Sequence, residues 1–135
     1  MKLGVLTVLL QDRPLDTALD QLVKMGIQAV EIGTGSYPGN AHCNPTELLK
    51  DQKAIKAYRK NIEDRGLMIS AFSCHANPLS PDKAFAAESD RVYRETVRLA
   101  SEMEVGVVNL FSGCPGDSDE AKFPNWVTCA WPPEY

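Results

Sequence analysis

Short apolar runs alternate along the chain with longer stretches in which apolar residues recur every three or four positions. The runs are too short for helices, so the pattern predicts the order β-α-β-α-β-α-β. The first strand is expected over about Leu3 to Leu10. A helix follows, with Pro14 in its first turn, a buried stripe of Leu15, Leu19, Leu22 and Val23, and a stop at Gly26. The second strand, about Gln28 to Gly33, enters a Gly-, Pro- and Asn-rich loop from Thr34 to Cys43. In Asn44-Pro45-Thr46-Glu47, Asn44 can accept from free amides and Glu47 stands three residues on, as in a capping box. The helix it opens is expected to close at Gly66.

A third strand spans about Leu67 to Cys74. Ser80-Pro81 is then expected to cap a long helix, with Phe85, Ser89, Val92, Thr96, Leu99 and Met103 on one face. The fourth strand spans about Val107 to Phe111. From Ser112 to Tyr135 Gly, Pro and aromatic residues dominate and no further element is completed.

Ala29, Met68 and Val107 stand at comparable points near the starts of strands two, three and four, 39 residues apart each time. That equality suggests a repeated unit. Parallel strands joined by helices leave two architectures, an open doubly wound sheet or a barrel. Units of about 34 residues, eight times over, make the length of a (β/α)₈ barrel. The expected fold is therefore α/β, a parallel (βα)₄ half of a TIM barrel with strand order 1-2-3-4, in one domain over residues 1–135. The competing fold is an open flavodoxin-like module that binds a ligand or partner without catalysis. Strand order separates them, since an open sheet would have a switch point such as 2-1-3-4.

Charge narrows the partners. With 14 basic and 18 acidic residues the chain carries a net charge of −4, and it has no Lys/Arg-rich run of the kind phosphate-backbone binding uses. No nucleic acid is expected. The opening apolar run is reached after one lysine but ends at Gln11-Asp12-Arg13-Pro14 without a small-residue cleavage site, which favours a buried strand over a signal peptide. No segment approaches the ~20 apolar residues of a membrane span. Cys43, Cys74, Cys114 and Cys129 contain no Cys-x-x-Cys pair, so buried thiols in a reducing cytoplasm are expected.

In either architecture the chemistry belongs at the carboxyl ends of the strands. Period-two alternation puts Ala29, Glu31 and Gly33 on one side, as it does Ala71, Ser73 and His75, and Val107, Asn109 and Phe111. His75 is a pocket group or a strand-end histidine bonded to a loop. Glu31, between Val30 and Ile32, needs a partner and is either an ion pair or a pocket group. Asn109 and Ser112 suit sugar hydroxyls but also form turns. Trp126 and Trp131 could stack on a sugar ring or pack against a helix. The run Ser112 to Ser118 could cradle a phosphate with its amides, although Asp117 would repel the anion. His42-Cys43 and Cys74-His75 hold zinc-ligand types, yet neighbours on an extended chain point to opposite faces.

The Val30-Glu31-Ile32 strand after helix and glycine, the Ser73-Cys74-His75 strand end and Asn109-Leu110-Phe111-Ser112-Gly113 together resemble the xylose-isomerase-like TIM-barrel superfamily, in particular its sugar phosphate isomerase/epimerase branch. The resemblance implies a metal-dependent enzyme that moves a proton next to a carbonyl of a sugar or sugar phosphate. It places the Mn²⁺ or Mg²⁺ ligands and the acid/base pair in the second half of such barrels. The catalytic residues are thus expected beyond residue 135, no metal is expected in this chain alone, and the chain is expected to be a truncated half, inactive by itself and prone to self-associate. His75, Glu31, Asn109, Ser112 and Trp126 are the expected substrate contacts. Apurinic endonuclease barrels take zinc-binding histidines from strands three and four. His75 matches the first place, but Phe111 stands in the region of the second, which argues against that branch.

Overall fold

A computed structural model describes residues 1–125. The strands are β1 (Gly4–Leu6), β2 (Ala29–Gly33), β3 (Met68–Ser73) and β4 (Val108–Asn109), and the helices α1 (Leu15–Lys24), α2 (Pro45–Leu48), α3 (Gln52–Glu63) and α4 (Lys83–Glu102). The four strands form one sheet in the order β1-β2-β3-β4, all pairs parallel. This in-sequence order is that of a barrel wall and has no switch point, so the open flavodoxin-like arrangement is set aside.

Four expected boundaries are corrected. The first strand ends at Leu6, and Thr7–Leu10 is a 3₁₀ turn. Bonds from Gln11 N to Val8 O and from Arg13 N to Leu10 O continue that tight winding. An unbroken apolar run carries no period, so it fits a buried strand and a buried turn equally. The helix expected from Asn44 to Gly66 is two helices, because the Asp51 carboxylate accepts from Lys53 N at 2.8 Å and starts α3 afresh. Asn44 makes no side-chain cap bond. The long helix begins at Asp82, not Ser80-Pro81, with its carboxylate accepting from the amides of Ala84 and Phe85 at 2.9 and 3.0 Å. The fourth strand pairs only over Val108 and Asn109.

Along α1 the buried positions are Ala18, Leu19 and Leu22, while Val23 is exposed. At 100° per residue Ala18 continues the line through Leu22, and Val23 turns past it. On α4, Ser89, Thr96, Leu99 and the adjoining Met103 are buried, but Phe85 at the start lies 42% exposed.

The core forms between helices and one face of the sheet, from Leu19, Leu22, Val30, Ile32, Ile55, Ile62, Phe72, Leu99 and Met103. The 39-residue spacing reappears as register in the middle of the sheet, where Ala29 stands opposite Met68. Between β2 and β3 the ladder then slips. Val30 faces Ile69 but Glu31 faces Ala71, and the extra residue, Ser70, donates its hydroxyl to Val30 O at 3.1 Å. This bulge shifts the upper half of β3, bringing Ser73 opposite Gly33. At β4 the stagger grows, so that Asn109 faces Ser73.

Candidate functional site

Val30, Ile32 and Phe72 enter the core, so alternate residues of β2 and β3 face the other side of the sheet. On that side Glu31, Ser73 and Asn109 meet. The Ser73 hydroxyl donates to Glu31 Oε1, and Asn109 Nδ2 donates to the same oxygen at 2.9 Å. Ser73 is fully buried and Glu31 half-buried. Both bonds converge on Oε1, and Oε2 accepts from no described residue. Glu31 and Ser70 also line an open hollow of about 350 Å³ with Lys2, Gly4, Leu6 and Met68. A carboxylate held at one oxygen by two neutral donors presents the other oxygen in a fixed direction.

Two residues further along β3 and β4 stand His75 and Phe111. Their rings are stacked, 4.8 Å between centroids and 10° between planes. Tyr37, from the loop after β2, tilts against Phe111 at 6.4 Å, and its amide donates to His75 O at 3.1 Å. The corresponding place on β2 is Gly33. A Cβ there would lie 2.8 Å from Gly39 O and 2.9 Å from Pro38 O, so the loop folds directly over this strand end. The site thus has two levels, a polar one of Glu31, Ser73 and Asn109 and an aromatic one of His75, Phe111 and Tyr37.

The structure brings Glu31 and Asn109 together as alternation predicts and sets His75 above them, against Phe111. Ser112 is exposed and makes no hydrogen bond with a described residue. Trp126, like Trp131 and Cys129, lies outside the described residues.

Sequence reasoning passed over Asn77, which is 2% exposed. Its Nδ2 donates to Cys114 O at 2.9 Å, and its Oδ1 accepts from Cys114 N at 2.8 Å and Leu79 N at 3.2 Å. This side chain ties the loop after β4 to the loop after β3. Gly113 has φ +96°, and a Cβ there would stand 2.9 Å from Asn77 Oδ1, so glycine is required for the approach. An Asn-Pro pair in sequence reads only as a turn, which is why the clamp was not visible. It also bears on the phosphate cradle considered for Ser112 to Ser118, because the Cys114 amide is already committed.

The zinc-ligand types stay apart. His42 Nε2 is 2.9 Å from Arg13 O, and Tyr58 donates its hydroxyl to His42 O at 2.8 Å. Burial pushes the Cys43 thiol up to about 12 and drives the Tyr58 phenol well above its usual range. Burial also raises Cys74, near Thr34 and Thr96, whose hydroxyls are 2.8 Å apart. Such thiols stay protonated and unreactive. Among the described residues no three His, Cys, Asp or Glu side chains are grouped to hold a metal ion, and no helix is long and apolar enough to cross a membrane.

A family model described as a xylose isomerase-like TIM barrel matches residues 19–131. An uncharacterized protein of Bacillus subtilis (strain 168), YfiH, is 33% identical over 135 residues, which are 98% of this chain and 43% of that protein. A provisionally assigned xylose isomerase from Rhodospirillum rubrum ATCC 11170 superposes with a TM-score of 0.64 at 20% identity, over 88% of this chain and 42% of its own. A protein of Sinorhizobium meliloti 1021 does so with a TM-score of 0.56 at 17% identity, over 88% and 39%. The chain spans less than half the length of each of these relatives.

Proposed function

Because the chain belongs to the xylose isomerase-like TIM barrel family, we propose that it forms the amino-terminal wall of a sugar or sugar phosphate isomerase or epimerase that moves a proton next to a carbonyl. The observation that carries this reading is the convergence of Glu31, Ser73 and Asn109 on the open face of the sheet, beneath the ring of His75. Fixed neutral donors and an acceptor at the strand ends suit the alternating donors and acceptors of a polyol.

In this reading Glu31 Oε2 accepts from a substrate hydroxyl. Ser73 and Asn109 hold the carboxylate in place for it. The His75 ring, kept in plane by Phe111, donates to or accepts from a second hydroxyl, and the aromatic level keeps water from the carbon that exchanges its proton. Ser112, and Trp126 from outside the described residues, are proposed as further substrate contacts. Mn²⁺ or Mg²⁺ is proposed for the complete protein. The described residues hold no donor set that fits such an ion, and its ligands, like the proton-transferring pair, are assigned to the remainder of the barrel.

The experiment is to join this chain to the carboxy-terminal half of the Bacillus subtilis relative and incubate it with aldose and ketose pairs in deuterium oxide. Solvent deuterium should appear on the carbon next to the carbonyl. His75→Ala should lower kcat/KM roughly ten- to hundredfold, the worth of one hydrogen bond at the reacting centre, with metal content and melting temperature unchanged. Full activity per folded molecule would remove His75 from the pocket, and absence of deuterium incorporation across the pairs would overturn the reaction class.

A further inference from the structure

Beyond the aromatic level lies a second cavity of about 280 Å³, lined by residues of three strand-end loops, among them Tyr37, Ser80, Asp82, Phe85, Lys122 and Phe123. Tyr37 belongs to both places, since it tilts against the Phe111 that stacks on His75. The lining includes none of Glu31, Ser73, His75 and Asn109, so a molecule that filled both places would need a second unit.

The cavity is built for hydroxyls. Ser80 is 6% exposed and lines the cavity, where a hydroxyl can donate or accept. Asp82 spends Oδ1 on the amides of Ala84 and Phe85 and has Oδ2 to offer. Tyr37 and Phe85, at the cavity, are 57% and 42% exposed. Aromatic faces cover the C–H faces of a ring while acceptors and donors at the edge take its hydroxyls.

Charge argues against a phosphate here. The α4 amides that would attract an anion are capped by Asp82, which adds a carboxylate to a lining whose one cation among the described residues is Lys122. The Cys114 amide nearby is held by Asn77. We propose that this cavity is an outer subsite for an uncharged hydroxylated ring, so that the substrate is a glycoside or other two-unit sugar whose second ring lies between Tyr37, Ser80 and Phe85. The assignment of this ring as part of a substrate rests on the isomerase or epimerase reading, whereas its binding can be measured separately.

The test is an amide-shift titration of the ¹⁵N-labelled chain with methyl β-D-glucopyranoside as the probe for the outer ring and, separately, inorganic phosphate. The glycoside should shift Tyr37, Ser80 and Phe85 saturably, and phosphate should leave them in place. Phe85→Ala, at an exposed position that leaves the fold intact, should raise the dissociation constant about three- to tenfold. Ser80→Ala should weaken it as well. Asp82→Ala, which removes both the cap and the carboxylate, should open the α4 amides to phosphate. Shifts confined to His75 and Asn109 would overturn the outer subsite and leave the sugar chemistry standing. Phosphate shifts at Ser80 and Phe85 in the unaltered chain would overturn its uncharged character. Outer shifts without deuterium incorporation in the joined barrel would strike the reaction and leave the subsite.

Discussion

Asn109 on β4 donates to Glu31 on β2 at 2.9 Å, across 78 residues of sequence and over the top of β3, where Ser73 donates to the same oxygen. One carboxylate thereby joins three parallel strands on the face that the helices leave open. The bulge at Ser70 makes this possible, because it sets the upper part of β3 one residue out of step with β2. Removing the acceptor should be felt by both donors. Glu31→Ala is expected to cost about 2 kcal/mol by leaving the buried Ser73 hydroxyl and the Asn109 amide unpaired, whereas Glu31→Gln, which keeps an acceptor oxygen, should cost less than about 1 kcal/mol. Urea unfolding of the two variants checks the order, and equal losses would mean that the network contributes nothing to stability.

Thr7, just after β1, is 1% exposed and its Oγ1 has no hydrogen-bond partner among the described residues. Thr7→Val keeps the shape and removes an unpaired polar atom, so it should stabilise by about 1 kcal/mol, a rise in Tm of about 4 °C. A fall in Tm would instead show that the hydroxyl is bonded to a water in the adjoining hollow of about 10 Å³, which Gln11 and His42 also line.

Cys43 and Tyr58 make the fold sensitive to alkali. The folded Cys43 thiol, pushed up from its ordinary 9.0 to about 12, keeps its proton where the unfolded one loses it. The unfolded state then binds fewer protons, so stability is intact below pH 9 and falls by about 1.4 kcal/mol per pH unit from there to about pH 12. Tyr58 adds a second decline above its ordinary 10.0. Unfolding free energies measured from pH 8 to 11 should therefore drop, and Cys43→Ala should lessen the slope between pH 9 and 10, leaving the share of Cys74 there and the decline due to Tyr58 above pH 10. A flat profile would contradict the burial of both groups.

The isolated chain is expected to self-associate. Among the described residues β1 and β4 each have a strand on one side only, and Leu3, Met68, Val107, Leu110 and Phe111 lie exposed along or near the strands. Unpaired strand edges and apolar surface both favour association in water. Sedimentation at about 50 μM, where weak association already registers, should show species above 14.8 kDa. A clean monomer would show that the open face is stable in solution.

The alternation of apolar runs and helical periods predicted by itself four parallel strands joined by helices, and the strand-end positions of Glu31, Asn109 and His75 followed from period two. Those features depend on residues near one another in sequence, where the choice between strand and helix is written in spacing. Only the tertiary structure decided the strand order β1-β2-β3-β4 without a switch point, and what these residues touch. The stack of His75 on Phe111 and the Asn77 clamp on Cys114 join segments 36 and 37 residues apart. The meeting of Ser73 with Glu31 depends on a one-residue slip between strands that no local pattern announces. Such contacts are set by register and loop closure, which depend on how neighbouring strands stagger as the sheet curves, and a linear pattern of polar and apolar residues does not encode that stagger.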